Sequence, residues 1–266
     1  MKRKLKIGVV QAKVPFSIEE GESSVLNFVR LAKEVNVDIL GLPEDCVCGL
    51  FKYLGSYDPL EFLSKTAKKF KISLFGSNAT LEDGKYYGTG FYIDNRGKLL
   101  SKVRKIILTN PERESGFKAG KEIQVFNTEF GKMAILICKD AFSRYSPIWF
   151  HELKKRRVEY VLIPSMSLKV NYNSFNFWIH SMWLLAKWFD LRIFASGTVG
   201  KNYTSFLSFG NALIVDRDSG FIKKGSENKE EILIAEIPVR SKEKIEKSYR
   251  SKWDPVKIPN IKINEV

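Results

Sequence analysis

The stretch GKMAILICKDAF (residues 131–142) reads as a core strand with an unusual end. Its apolar run MAILI is typical of a buried strand. Cys138, Lys139 and Asp140 follow this run without any spacer. A buried strand that ends in a thiol and two charged side chains indicates chemistry at the end of that strand.

The rest of the chain alternates short apolar runs with longer amphipathic runs, which predicts an α/β protein. Helices are predicted over 18–35, 59–70, 147–157 and 175–189. Strands are predicted over 5–11, 37–43, 72–77, 86–93, 99–103, 133–137, 158–163, 193–196, 212–215 and 232–237. Asn95-Arg96-Gly97 predicts a hairpin turn, and 104–122 is predicted to be a long polar loop.

Two parts of the chain share one outline. KIGVVQ, a helix and VDILGLPE resemble KMAILICKD, a helix and VEYVLIPS. Two such β-α-β units predict a sheet covered by helices, with reactive groups beyond the carboxyl ends of its strands. Glu44 lies just beyond one strand end, and Cys138 ends another. Because no linker or low-complexity segment divides the chain, we expect a single domain over 1–266, with a charged tail from about residue 240.

The composition is that of a soluble globular protein, since 44% of the 266 residues are hydrophobic and 28% are charged. The apolar run after Lys6 is too short for a signal peptide. Lys187, Asp190 and Arg192 interrupt the most apolar long stretch, which excludes a membrane span there. We therefore expect a cytoplasmic protein without a membrane partner.

The cysteines fit that compartment. Cys46, Cys48 and Cys138 are odd in number and do not resemble a disulfide framework. The two histidines, His151 and His180, have no metal-ligand spacing relative to these thiols. No metal site is therefore expected.

The formal net charge of +14 raises the question of nucleic-acid binding. The basic residues are dispersed, however, and many neighbour acids, as in RSKEKIEKSYRSKWD (240–254). We expect a solvated basic surface rather than a nucleic-acid site. The Lys-rich composition with two glutamines also suits a thermostable protein, although fourteen asparagines weigh against that interpretation.

A nucleophilic cysteine at a strand end needs a base for its proton and donors for the developing oxyanion. His151 and His180 both lie in segments predicted to be helical, where a packed or capping role is expected. Glu44 follows a buried strand and a proline, which hold it in a defined geometry. It is the natural candidate base for Cys138.

Three separated motifs make the chain resemble the nitrilase superfamily of carbon–nitrogen hydrolases along nearly its full length. In the order of that family, the motifs are ILGLPEDCVCG (39–49), LLSKVRKIILTNPERESGFKAG (99–120) and GKMAILICKD (131–140). The resemblance implies Glu44 as general base, Lys105 as catalytic lysine and Cys138 as nucleophile. It also implies a four-layer αββα sandwich that pairs through its helices into a homodimer or higher homo-oligomer, without a metal or an organic cofactor.

The same resemblance implies two supporting groups. Glu112 matches a second glutamate in the loop after the lysine, with Glu114 as the alternative. Its expected role is to hold Lys105 and the substrate amide. The backbone N–H of Lys139 is expected to face the oxyanion together with the Lys105 ammonium.

The other two thiols, Cys46 and Cys48, are rivals for the role of nucleophile because they follow Glu44 in a predicted loop. Small polarizable side chains that line a pocket explain them adequately. Cys138 is favoured because it alone ends a core strand in the matching motif.

Around the motifs the sequence departs from the family pattern, which affects the choice of substrate. Lys139, Arg144 and Lys169 follow strand ends and could favour an acidic amide at a pocket mouth, although surface lysines are common in so basic a chain. The aromatic side chains of 175–189 could wall a pocket or form a dimer face, and we expect core or interface. They are Phe175, Phe177, Trp178, Trp183, Trp188 and Phe189.

The leading functional hypothesis is a thiol-dependent amidase. It would cleave a small linear amide into ammonia and a carboxylic acid through a cysteine thioester. Nitrile or N-carbamoyl substrates are alternatives within the same chemistry. An acyltransferase that uses the same thioester, and a non-catalytic binding protein on the same scaffold, are the competing functions.

Overall fold

The computed structural model describes residues 4–49, 55, 57–169, 174–203, 206–217 and 220–240. The charged tail predicted from about residue 240 lies outside these ranges. Within them, no helix is both long enough and apolar enough to cross a membrane.

The described residues form five helices and thirteen strands. The helices are α1 (Ile18–Glu34), α2 (Pro59–Phe70), α3 (Asn110–Glu114), α4 (Ser146–Lys155) and α5 (Ser174–Trp188). The strands are β1 (Lys4–Lys13), β2 (Ile39–Gly41), β3 (Ser73–Glu82), β4 (Lys85–Ile93), β5 (Leu99–Arg104), β6 (Val125–Thr128), β7 (Gly131–Ile135), β8 (Tyr160–Pro164), β9 (Arg192–Gly200), β10 (Ser208–Phe209), β11 (Leu213–Asp216), β12 (Gly220–Lys224) and β13 (Glu231–Pro238).

Local sequence signals start and stop the first two helices. The Ser17 hydroxyl accepts a hydrogen bond from the backbone N–H of Glu20 and caps α1. Asp58 caps α2 in the same way, with Pro59 in its first turn. Lys71 ends α2 in the left-handed conformation, at φ 52°. These caps explain why the predicted and observed bounds of both helices nearly coincide.

The strands pair in the order β5-β4-β3-β2-β1-β9-β8-β7-β6. The two predicted β-α-β units are present, because β1 is parallel to β2 and β7 is parallel to β8. Strand β9 joins the two halves of the sheet. Its first part pairs with β8 and β11, and its last part pairs with β1.

The two halves of the sheet face each other across a central apolar core. Side chains that alternate along β1 and β7 enter this core, including Ile7, Val9, Met133 and Ile135. Helices α1 and α2 pack on the outer face of the first half, and α4 and α5 pack on the outer face of the second. The layer order is therefore the predicted αββα. The run MAILI is apolar throughout because β7 and the two residues after it are covered on both faces.

Some elements differ from the sequence predictions. The sequence pattern does not predict β6, β10 or β12, which are only two to five residues long and show no clear alternation. The predicted polar loop over 104–122 contains the single helical turn of α3. Strand β7 ends at Ile135, two residues before the end of its apolar run. Pairing with strands that are distant in the sequence decides the bounds of the short strands, and a capping box at Thr109 starts α3.

Gly21 provides a test of the packing between α1 and the chain after β2. A Cβ atom on Gly21 would lie 1.8 Å from the carbonyl oxygen of Val47. Alanine in a helix interior normally stabilises a protein by about 1 kcal/mol relative to glycine. We expect Gly21→Ala to destabilise this protein by about 1–3 kcal/mol instead, because backbone atoms must move apart. Urea unfolding measures the change.

The control is Ser23→Ala on the exposed surface of the same helix. It should leave stability unchanged or raise it slightly. A Gly21→Ala variant that is as stable as the wild type would show that α1 shifts without cost.

Candidate active site

Three strands bring their carboxyl ends to one place. Glu44 follows β2, Cys138 follows β7 and Ser165 follows β8. The backbone N–H of Glu44 approaches the carbonyl oxygen of Ser165 at 3.5 Å. The Ser165 hydroxyl lies 3.6 Å from the Cys138 sulfur. Ser165 therefore contacts the candidate base through its backbone and the candidate nucleophile through its side chain.

Lys105 follows β5 and is the centre of the charged cluster. Its Nζ atom lies 2.7 Å from Glu44 Oε1 and 2.6 Å from Glu112 Oε1. Its side chain is only 2% exposed. The Lys105 backbone is held by the Gly88 carbonyl on one side and by the Gly120 N–H on the other. A buried ammonium between two carboxylates has a fixed position because it cannot exchange these partners for water.

A capping box aims Glu112 at the lysine. Glu112 Oε2 accepts hydrogen bonds from the backbone N–H and the hydroxyl of Thr109, at 2.6 and 2.8 Å. This leaves Oε1 for Lys105. Glu114, the alternative second glutamate, is exposed. Of the two candidates, the structure therefore brings Glu112 to the site.

Cys138 begins a single 3₁₀ turn, Cys138–Asp140, with a backbone φ of 45°. Non-glycine residues rarely adopt this left-handed conformation, and it is found preferentially at functional sites. The Glu44 carboxylate lies close enough to the Cys138 thiol that each group shifts the pKa of the other. The backbone of Met166 also lowers the pKa of the thiol. The candidate base therefore lies beside the candidate nucleophile.

The charges of the cluster are strongly coupled. Burial raises the pKa of Glu44, and the positive charge of Lys105 only partly opposes this. Burial also disfavours the Lys105 ammonium, but Glu44 and Glu112 outweigh it and hold its pKa well above the ordinary value. Glu112 is buried as well, yet Lys105 and Thr109 keep its pKa low. The result is a protonated lysine beside one ionised glutamate and one glutamate suited to proton transfer.

The Cys138 thiol is protonated in the resting site. Burial and the Glu44 charge raise its pKa to about 12. At pH 7 the thiol is then almost entirely protonated. A reaction at this sulfur would need a base to remove its proton, and Glu44 is the candidate carboxylate beside it.

The other candidate nucleophiles are buried thiols, and the other candidate bases lie on the outer helices. Cys46 and Cys48 are 4% and 0% exposed, and burial raises the pKa of Cys46 above its ordinary value. His151 and His180 lie on the outer helices α4 and α5, and both are exposed. The sequence predicts a packed or capping role for both; the His151 ring lies 6.2 Å from the Phe189 ring, and for His180 the role stays a prediction. Within the described ranges, no group of acidic, cysteine or histidine side chains is arranged to hold a metal.

The candidate substrate-binding residues are spread over the surface. Lys139 is half-buried, whereas Arg144 and Lys169 are exposed. The Arg144 guanidinium lies 5.8 Å from the centre of the Tyr145 ring. None of the three has a described hydrogen bond or ion pair with Glu44. Their proposed role in binding an acidic amide therefore remains a prediction.

The aromatic residues of α5 divide between two environments. Trp178 is completely buried and donates its indole N–H to the Asn211 carbonyl oxygen. Phe177, Trp183 and Trp188 are exposed by 56%, 39% and 61%. The helix thus has one face in the core and another on the surface.

Sequence reasoning missed several residues of the site. Ser165 contacts the Cys138 thiol and the Met166 backbone lowers the pKa of that thiol, yet both residues follow β8 without any motif of their own. Thr109 was detectable, because Thr109-Asn-Pro-Glu112 has the spacing of a capping box. The Tyr203 hydroxyl donates to Asp45 Oδ2 at 2.6 Å, next to Glu44. Such a pairing across 158 positions leaves no local signal.

Comparison with known proteins is consistent with this geometry. The family profile described as carbon–nitrogen hydrolase matches residues 6–245, nearly the whole chain. The chain belongs to the carbon–nitrogen hydrolase family. Its resemblance to the nitrilase superfamily is thereby confirmed.

Individual relatives match only part of this chain. Omega-amidase NIT3 of Saccharomyces cerevisiae is 32% identical over 92 residues, which are 30% of this chain and 32% of that protein. In the curated relatives that it matches, the chain spans between 27% and 32% of their length.

Two solved carbon–nitrogen hydrolase structures share the fold. Nit3 of Saccharomyces cerevisiae superposes with a TM-score of 0.78 at 22% identity, covering 98% of this chain and 96% of that one. A double mutant of the amidase from Nesterenkonia sp. AN1, in complex with acrylamide, also gives 0.78 at 14% identity, covering 92% and 97%. At these identities the likeness establishes the fold alone.

The interaction between the Glu44 carboxylate and the Cys138 thiol predicts an unusual pH profile of alkylation. We expect iodoacetamide to label Cys138 of the wild type once the pH rises through the elevated pKa of Glu44, and then at a constant rate. In Glu44→Gln, labelling should rise only toward alkaline pH, where the thiol ionises by itself. Peptide mass spectrometry from pH 5 to 9 measures both profiles.

Cys46 and Cys48 are buried like Cys138 and serve as internal controls: they should stay unlabelled, because the proposed base Glu44 acts on the Cys138 thiol and not on theirs. Identical profiles in the wild type and the Glu44→Gln variant would contradict a role for Glu44 as the base.

Proposed function

We propose that the chain hydrolyses a small linear amide to a carboxylic acid and ammonia through a thioester on Cys138. One observation carries the proposal: the Lys105 ammonium lies 2.7 Å from Glu44 and 2.6 Å from Glu112, and Glu44 is close enough to the Cys138 thiol that each shifts the pKa of the other. The family and the names of its omega-amidase and amidase relatives support an amide substrate.

In the first step, Glu44 takes the thiol proton while the Cys138 sulfur attacks the amide carbon. The carbonyl oxygen gains the negative charge. The Lys105 ammonium and the backbone N–H of Lys139 would stabilise it. The N–H groups of Asp140 and Ala141 make the hydrogen bonds of the 3₁₀ turn. Neither of these two hydrogen bonds uses the N–H of Lys139.

In the second step, the tetrahedral intermediate collapses. Glu44 returns its proton to the nitrogen, the C–N bond breaks, ammonia leaves and the thioester remains. Water then attacks the thioester carbon as Glu44 accepts a proton from it, and the acid departs with release of the thiol. Glu112 keeps Lys105 in place throughout and offers an acceptor to the amide N–H.

Two further proposals concern the cellular compartment and the contact between copies of the chain. Cys46, Cys48 and Cys138 are free thiols, in keeping with a reducing cytoplasmic compartment. The outer helices α4 and α5 and the residue before α4 carry exposed apolar side chains, which we propose as the contact between two copies of the chain. Its most exposed members are Tyr145, Ile148, Phe177, Trp183 and Trp188.

Ammonia release from a panel of neutral, acidic and basic linear amides tests the proposed activity. We expect release by the wild type and none by Cys138→Ala. Lys105→Ala should lower kcat about 100- to 1,000-fold, the usual effect of removing an oxyanion donor. Cys46→Ala removes a buried thiol outside the mechanism and serves as the matched control.

Retained ammonia release in Cys138→Ala would contradict the thioester route. Adding hydroxylamine separates hydrolysis from acyl transfer. A hydroxamate formed faster than the free acid under limiting acceptor would favour an acyltransferase. If no amide in the panel is cleaved, the binding-protein alternative becomes the better explanation.

Light scattering after size exclusion tests the contact between copies. We expect the wild type to be a dimer or larger, and Ile148→Lys or Trp188→Lys to shift it toward a monomer. Both side chains are 61% exposed, so a lysine there should not disturb folding.

The control is Leu81→Lys, at a residue that is 44% exposed on β3, which should leave the mass unchanged. A monomeric wild type would refute the contact.

A further inference from the structure

Asp140 connects the nucleophile turn to the lysine segment. Its carboxylate accepts hydrogen bonds from the backbone N–H of Ile106, at 3.1 and 3.2 Å, and of Ile107, at 2.7 Å. These are the two residues directly after Lys105. Asp140 lies two residues after Cys138 in the same 3₁₀ turn. One side chain therefore joins the two chain segments that carry the nucleophile and the ammonium.

The position of Asp140 is itself well determined. Its N–H donates to the Ile137 carbonyl oxygen at 2.9 Å. Its carbonyl oxygen accepts from the Ser146 hydroxyl at the start of α4. The residue is 3% exposed, so its carboxylate cannot replace the two N–H donors with bulk water. Its hydrogen bonds therefore connect the segment after β7 to the segment after β5.

The charge on Asp140 strengthens these hydrogen bonds. Burial raises its pKa to about 6, and the Ile107 N–H and the Lys105 charge oppose a larger rise. Above that pH the carboxylate is ionised, and hydrogen bonds to an ionised acceptor are stronger than those to a neutral one.

We propose that Asp140 is a positioning residue, which sets the distance between the Lys105 ammonium and the Cys138 sulfur. The inference rests on the proposed function, because that distance matters only if an oxyanion forms between the two groups. Asp140 does not touch the substrate in this scheme. It acts on the reaction through Lys105.

A displaced lysine should lower kcat more than it alters KM. The oxyanion exists in the transition state but not in the bound amide, so its stabilisation affects the chemical step. A displacement of 1 Å at a catalytic group can cost about 100-fold in rate. A residue with a merely structural role would instead reduce the fraction of folded enzyme and leave KM and kcat per folded molecule unchanged.

The experiment compares Asp140→Asn and Asp140→Ala with a matched control. Asparagine keeps an oxygen that both N–H groups can reach, whereas alanine removes the acceptor entirely. Asp94 is the control, since its carboxylate accepts the backbone N–H groups of Arg96 and Lys98 in a hairpin turn and it is 8% exposed. Asp94→Asn thus weakens the same kind of contact outside the site.

We expect kcat to fall about tenfold in Asp140→Asn and about 100-fold in Asp140→Ala, with KM changing less than threefold. Asp94→Asn should lower the melting temperature and leave kcat per folded molecule unchanged. An Asp140→Ala variant that keeps kcat within threefold of the wild type would overturn the proposal. So would a loss of kcat in Asp94→Asn that matches the loss in Asp140→Asn.

The pH profile of Cys138 alkylation provides a second readout, which needs no substrate. Glu44 faces Lys105, Glu112 and Cys138, and the Lys105 charge lowers its pKa. If Lys105 moves away, the pH at which labelling begins should shift upward in both Asp140 variants and not in Asp94→Asn. This shift would support the positioning role even if no amide in the panel is cleaved, a result that would defeat the proposed function alone. An unshifted profile would count against the positioning role.

Discussion

The burial of one ammonium group governs the whole site. Lys105 lies almost out of contact with water, and its Nζ atom touches both Glu44 and Glu112. A buried charge is tolerated only when partners compensate for lost hydration, and removing one partner of such a pair costs about 3–5 kcal/mol. These three residues lie on separate segments: Glu44 follows β2, Lys105 follows β5 and Glu112 lies in α3. All three segments must reach the same point, and hydrogen bonds such as those of Thr109 to Glu112 hold them there.

The same burial decides how the thiol can react. A cysteine activated by ionisation needs a polar, partly exposed setting, but Cys138 is 7% exposed and its pKa is raised to about 12. Burial also raises the pKa of Glu44, which favours its acting as a proton acceptor and donor. In the proposed mechanism a neutral thiol is thus paired with an adjacent base. Of the two charged residues that follow the thiol, Asp140 bonds the segment after Lys105 through the N–H groups of Ile106 and Ile107.

A second charged cluster lies at the opposite ends of the same strands. Asp190 accepts a hydrogen bond from Lys154 at 2.9 Å and forms an ion pair with Arg217 at 3.1 Å. Arg192 at the start of β9 pairs with Asp216 at 2.6 Å. These pairs join α4, the end of α5 and β11.

The sequence pattern by itself predicted an α/β protein, the bounds of α1 and α2, and Glu44 and Cys138 at strand ends. The resemblance to the nitrilase superfamily added the αββα layers and Lys105. Helix caps, apolar periods and ordered motifs all depend on residues that are neighbours along the chain. Glu112 could be matched to its position but not separated from Glu114 until the capping box was seen. Ser165, Asp140, the short strands β10 and β12, and the exposure of His180 were decided only by the tertiary structure. Each depends on groups brought together from distant parts of the chain, and a contact of that kind leaves no pattern along the sequence.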